Sequence, residues 1–298
     1  MLTIKRQLIM KLSAKIKIIL SVIIIILSVK GHSQVQNGYA PVNGLKMYYE
    51  VHGQGKPIVL LHGSYMNIDL NWGELIPQLS KTRKVIAVEM QGHGRTADIN
   101  RPFSYEAMAD DVAKLLKYLK INKADVLGYS FGGTVAFEFA IKNPGLVDNL
   151  VIISSVYKYD GWLPEVHEAL ASLKPEFLDA TPLKTEYDKI APDPKHWHAF
   201  VKKLSDFDAK NFNLGEANVK AIKSPVLFIM GDNDGVDLNH IAEMYRLTGG
   251  GVFADMTGLP KSQLTILPAQ THVTLMMQTE KIASLVNSFL NGLEEIKK

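Results

Sequence analysis

Residues Ala124 to Gly133 read Ala-Asp-Val-Leu-Gly-Tyr-Ser-Phe-Gly-Gly, and no other stretch limits the fold of this chain as sharply. A short apolar run, Val126 and Leu127, breaks at Gly128, puts Ser130 at a tip and leads into a helical segment over Thr134 to Lys142. Gly-x-Ser-x-Gly between a strand and a helix demands a turn so sharp that the serine backbone is strained and its hydroxyl stands clear of the sheet. Side chains at Gly128 or Gly132 would collide across that turn. Ser130 also falls at a helix N-terminus, where free amides and the helix dipole favour negative charge. The pattern points to a nucleophile. Taken alone, it fits equally well a tight glycine turn that happens to hold a serine.

The surrounding chain supplies the context. Met47 to Val51 alternates like a half-exposed strand, while Pro57 to Leu61 and Val85 to Glu89 read as buried strands. Further strand candidates are Asp125 to Gly128, Leu150 to Ile153, Val226 to Met230 and Leu264 to Leu267. Tyr105 to Leu119 carries Met108, Val112, Leu115, Leu116 and Leu119 at helical spacing, and Lys281 to Leu293 forms a closing helix. Strands alternating with helices predict an α/β fold with a largely parallel sheet covered on both faces. Residues 154–223 break the rhythm, with Pro164, Pro175, Pro182, Pro192 and Pro194 punctuating short helices and loops. They read as an insertion over the carboxyl ends of the strands, where open parallel sheets bind ligands.

Residues 1–33 differ from the rest. They hold Lys5, Arg6, Lys11, Lys15, Lys17 and Lys30, no acid, and the apolar run Ile18 to Val29. A basic front, a short apolar stretch and small residues before Gln34 predict a signal peptide, cleaved near Ser33–Gln34, and export to the periplasm or beyond. Met10 offers an alternative start. The apolar run is shorter than the ~20 residues of a membrane span, so no stable anchor is expected after cleavage. Residues 34–298 then form the main folded domain, and their charge changes sign. The whole chain carries +3, the leader six of those positive charges, so the remainder carries 3 − 6 = −3. No basic patch with interleaved aromatics remains, which argues against nucleic acid as a partner. The chain has no cysteine, so disulfides and thiolate chemistry are excluded.

A serine hydroxyl needs a base to take its proton and a third group to orient that base. His272 follows the strand candidate Leu264 to Leu267 and the loop Pro268 to Thr271, where a strand end would deliver it to the serine. Gly231-Asp232-Asn233-Asp234-Gly235 follows another strand; Asp234 is the favoured acid and Asp232 the alternative. Asp232, Asp234 and Glu243 resemble calcium-loop positions, but Val236 and Asp237 occupy places that need a ligand and a glycine. His196-Trp197-His198 offers two ligands without a third, too few for a metal site. The turn after Leu61, His62-Gly63-Ser64, places the Ser64 amide as one oxyanion donor and the Phe131 amide as the other, with His62 a structural hydrogen-bonding residue. Gln91 to Thr96 lacks phosphate-loop spacing and reads as a tight connection shaping the site wall. Trp162, Tyr157, Tyr159, Trp197 and Phe200 either line a pocket or form the insertion's own core.

His62-Gly63, Gly92-His93-Gly94-Arg95, Gly128 to Gly133, Gly231 to Asp234 and the late His272, in that order, resemble the α/β-hydrolase family over roughly residues 38–296. The resemblance implies an eight-stranded, mostly parallel sheet with helices on both faces and a helical cap over about residues 154–223. It favours Asp234, since the family often places its acid three residues past the glycine ending that strand. Ser64 stands where a lipase-type His-Gly-Gly-Gly turn has glycine, which argues against that subgroup. Serine rather than aspartate at position 130 argues against the epoxide hydrolase and haloalkane dehalogenase branches. The expected activity is acyl transfer on a small ester or lactone, with neither cofactor nor metal. Carbon–carbon, amide or peptide hydrolysis and perhydrolysis are alternatives on the same residues. A ligand-binding sensor with residual hydrolysis is the alternative of a different class.

Overall fold

The computed structural model describes residues 35–296, so the signal segment expected over residues 1–33 lies outside the described residues. Eight strands form one sheet: β1 (Gln36–Val42), β2 (Leu45–His52), β3 (Lys56–Leu61), β4 (Arg83–Val88), β5 (Ala124–Tyr129), β6 (Val147–Ile153), β7 (Val226–Asn233) and β8 (Gln263–Thr271). Their spatial order is β1-β2-β4-β3-β5-β6-β7-β8. β2 pairs antiparallel with both β1 and β4, and every pairing from β4 to β8 is parallel.

The central strands are buried on both faces. In β3, Val59 and Leu61 join the cluster that contains Phe137, Phe139 and Phe228, whereas Ile58 and Leu60 join the one with Trp72, Leu79 and Phe289. Side chains alternate across a strand, so a continuous apolar run feeds two cores at once. Helices Tyr105–Tyr118 and Phe131–Lys142 cover one face, and Thr279–Ile296 covers the other. Among the described residues, no helix is long and apolar enough to cross a membrane.

Two elements depart from the sequence reading. β1, sequence Gln-Asn-Gly-Tyr-Ala-Pro-Val, is a strand that no apolar pattern announces. As an edge strand it tolerates Pro41, whose missing N–H would break a central ladder. Pro268 to Thr271 is not a loop either, because β8 runs on to Thr271. The register slips between Gly231 and Asn233, and Ala269 takes a left-handed φ of 57°. This bulge re-aims the strand end. Gly231 makes room for it, since a Cβ there would stand 2.2 Å from the Gln270 carbonyl oxygen.

Between β6 and β7, residues 154–223 form short α- and 3-10 helices, and Tyr187, Trp197 and Phe200 pack together at their centre. The insertion is tied to the chain after β7: Leu163 N–H donates to the Gly235 carbonyl and Asp237 N–H to the Gly161 carbonyl.

Candidate active site

β5 delivers Ser130 at the tip of a turn whose geometry admits little else. Ser130 has φ 53° and ψ −122°, a strained conformation for a residue with a Cβ. A Cβ on Gly128 would lie 2.2 Å from the Gly132 carbonyl oxygen, and one on Gly132 would lie 2.1 Å from the Leu61 oxygen. The elbow therefore packs directly on the turn after β3. Ser155, beyond β6, locks it from the side by donating from Oγ to the Ser130 carbonyl at 2.7 Å.

β7 and β8 bring two more side chains to Ser130. His272 Nε2 lies 2.9 Å from Ser130 Oγ, and His272 Nδ1 lies 2.9 Å from Asp234 Oδ1. It is Asp234, not Asp232, that reaches the imidazole. Asp232 is exposed and instead accepts from Asn233 and from the Gln270 amide of the bulge. Asp234 also accepts from Ser154 Oγ. Burial by itself would raise its carboxyl, yet the bonds from His272 and Ser154 outweigh it and hold the carboxyl below the usual range. His272 itself is fixed by Tyr129, whose hydroxyl donates to the His272 carbonyl at 3.0 Å. Such a chain can pass the serine proton to the imidazole and stabilise the cation that forms.

The turn after β3 faces the serine, for a Cβ on Gly63 would come within 3.5 Å of Ser130 Cβ. Ser64 follows it, while Phe131 opens the helix Phe131–Lys142, so both amides sit at the edge of the site. Asn71 Oδ1 takes the Gly63 amide at 2.7 Å and so fixes the turn. His62 is fully buried. Its Nδ1 donates to the Gly63 carbonyl at 2.9 Å, and its Nε2 accepts from Met90 N–H at 3.1 Å. Burial drives its pKa down to about 4, so it stays a neutral brace.

Several expected residues lie elsewhere. The Gly92–Arg95 turn does not line the site wall: His93 is buried between His62 and Phe200 with Phe131 stacked near it, bracing the site from behind. Of the insertion's aromatics, Trp162 borders the site, its ring 5.6 Å from that of His272, while Tyr157, Trp197 and Phe200 are buried in the core. His196 meets Asp98 and His198 meets Asp179, so the two histidines do not converge. Among the described residues no group of three or more potential metal ligands occurs. Glu243 pairs with Lys158 rather than with Asp232 or Asp234.

Ser130 and His272 open on a cavity of about 330 Å³, walled mostly by apolar side chains such as Trp162, Val166, Leu170 and Phe212. Tyr65, Tyr105 and Asp208 also line it, and no motif in the sequence marks them.

A family model described as alpha/beta hydrolase fold matches residues 56–220, more than half of the 298-residue chain. The chain belongs to the α/β-hydrolase family. Within it, a stretch of 124 residues is 36% identical to the soluble epoxide hydrolase of Corynebacterium sp. (strain C12), covering 42% of this chain and 43% of that protein. Another of 110 residues is 37% identical to the 2-hydroxy-6-oxo-2,4-heptadienoate hydrolase of Pseudomonas putida, covering 35% of this chain and 39% of that protein. The matches thus span less than half the length of these two relatives. The 2-hydroxy-6-oxo-6-phenylhexa-2,4-dienoate hydrolase from Rhodococcus sp. strain RHA1 shares the fold, with a TM-score of 0.69 at 17% identity over 87% of this chain and 99% of that one. All three are named as hydrolases.

Proposed function

We propose that this α/β-hydrolase is an exported serine hydrolase cleaving small carboxylic esters or lactones through an acyl-enzyme. The observation that carries the reading is the continuous hydrogen-bonded run from Ser130 through His272 to Asp234, opening on a largely apolar cavity. In the proposed cycle, Ser130 Oγ attacks the carbonyl carbon while His272 Nε2 takes its proton. The carbonyl oxygen gains the displaced electron pair, and the amides of Phe131 and Ser64 stabilise its charge. Asp234 holds the imidazole in the required tautomer and stabilises the imidazolium. Collapse breaks the ester bond, and His272 returns its proton to the leaving alcohol. Water, deprotonated by His272, then attacks the acyl carbon, and collapse releases the acid as His272 returns the proton to Ser130 Oγ. Export rests on the basic and then apolar residues 1–33. N-terminal sequencing of the periplasmic fraction checks it; a cytoplasmic protein starting at Met1 or Met10 overturns it.

A serine-directed fluorophosphonate probe tests the chemistry. Labelling at Ser130 and an ester turnover lowered roughly 10³-fold or more by Ser130→Ala are expected. An intact fold by circular dichroism with no labelling, or a loss smaller than tenfold, overturns the reading. Carbon–carbon bond hydrolysis on the same residues is the second reading, favoured by the likeness to dienoate hydrolases. It ranks second because a dienoate carries a carboxylate, and no Lys or Arg is among the residues lining this cavity.

A further inference from the structure

One end of the cavity breaks its apolar character. Asp208, the last residue of helix Trp197–Asp208, lines it, and its Oδ2 accepts from Ser64 Oγ at 2.8 Å. Among the described residues no cation acts on this carboxyl, and burial pushes it up to about 7, with the Ser64 bond opposing. Tyr65 lines the same end. Its hydroxyl is shut off from bulk solvent and has no hydrogen-bond partner, and the Asp208 charge lies near enough to raise the phenol further. A buried, unpartnered hydroxyl and a carboxyl with a single partner are both costly, and a bound polar group offsets that cost. Apart from these two, the cavity wall offers Ser64, Thr134, Tyr105, Tyr129 and the Ser130–His272 pair as hydroxyl- or imidazole-bearing side chains and, among the described residues, no Lys or Arg.

We propose that Asp208 and Tyr65 form the specificity end of this cavity, selecting substrates whose non-reacting end carries an amine or ammonium and rejecting those ending in carboxylate. The inference rests on the serine hydrolase reading for the word substrate, but the selection itself can be measured without turnover. An ammonium donates to Asp208 and finds the phenol oxygen of Tyr65 as a second acceptor. A carboxylate meets the ionised Asp208 as a like charge in a mostly apolar cavity, where repulsion is less screened than in bulk water.

The test is calorimetric binding of hexylamine and hexanoate to the full mature chain, together with hydrolysis of p-nitrophenyl esters of 6-aminohexanoate and adipate. The wild type is expected to prefer the amine by about tenfold or more in both measurements. Asp208→Asn keeps an oxygen for Ser64 but removes the charge, so the preference should fall below about threefold. A merely structural Asp208 would lower both ligands alike and leave their ratio unchanged. That result, or a wild type binding hexanoate as tightly as hexylamine, overturns the inference. Preferential amine binding without Ser130 labelling by fluorophosphonate would sustain this site and sink the hydrolase reading instead.

Discussion

The Tyr129 hydroxyl donates to the main-chain carbonyl of His272 at 3.0 Å, and the two rings lie 5.1 Å apart. The residue just before the candidate nucleophile thus fixes the backbone of the candidate base. Tyr129→Phe removes only the hydroxyl and with it the bond to the part-buried His272 carbonyl, a change of about 1 kcal/mol for a typical hydrogen bond. Its expected effect is a fall in kcat of roughly three- to tenfold with KM little changed, because ring placement rather than substrate contact is lost. Steady-state kinetics on a neutral ester checks this. An effect confined to KM would mean that Tyr129 acts on substrate instead.

Ser154 holds the other end of the chain. It takes a left-handed φ of 47° just past β6 and donates from Oγ to Asp234. A hydrogen bond to a carboxylate favours the charged form, so Ser154→Ala should raise the Asp234 pKa. The sign follows from linkage. A carboxyl depressed in the folded state stabilises the protein above its unfolded pKa, and that contribution is lost as pH falls through the folded pKa. Ser154→Ala should therefore be less stable than wild type by about 1–2 kcal/mol at pH 7. The gap should narrow on acidification, once Asp234 is protonated. Urea unfolding at several pH values reads it; a gap independent of pH would show that Ser154 contributes packing alone.

The parts of this site that the sequence discloses are those where backbone geometry forces residue type. Gly128, Gly132 and Gly231 sit where a Cβ would strike main-chain atoms, and each flags a functional neighbour: Ser130, the turn after β3, and Asp234. The buried strands show because two cores require unbroken apolar runs. β1 stays hidden because an edge strand can carry Asn37, Gly38 and Pro41. Ser154, Tyr129 and Asp208 stay hidden for another reason. Their roles depend on side chains that meet only in three dimensions: Ser154 lies 80 residues from Asp234, Tyr129 143 from His272, and Asp208 144 from Ser64.

The crossing of the elbow over the β3 turn makes a sharp stability test. A Cβ at residue 132 would stand 2.1 Å from the Leu61 oxygen and 2.5 Å from that of His62, both main-chain atoms that cannot swing away. Gly132→Ala should therefore cost several kcal/mol, about 3, or prevent folding. Gly145→Ala is the control, since a Cβ there meets nothing within 4 Å. It should stay within about 0.5 kcal/mol of wild type. Equal losses at the two positions would contradict the packing seen at the elbow.

His62 supplies a pH signature independent of catalysis. Its two nitrogens are committed to the Gly63 carbonyl and the Met90 amide, an arrangement open only to the neutral ring. Burial lowers its pKa from 6.5 to about 4, and His93 packed 4.6 Å away is lowered as well. The unfolded chain therefore binds a proton between pH 6.5 and 4 that the folded chain refuses, so stability should fall as pH drops across that window. The shift corresponds to about 3 kcal/mol for His62. His62→Gln loses the ionisable ring and should be destabilised at pH 7 by the weakened bonds. Its disadvantage should shrink on approach to pH 4, because it has no proton to refuse. Guanidinium unfolding of both proteins across pH 4 to 7 measures the difference in slope. Parallel curves would mean that His62 keeps an ordinary pKa and that the turn after β3 is braced by something other than a neutral imidazole.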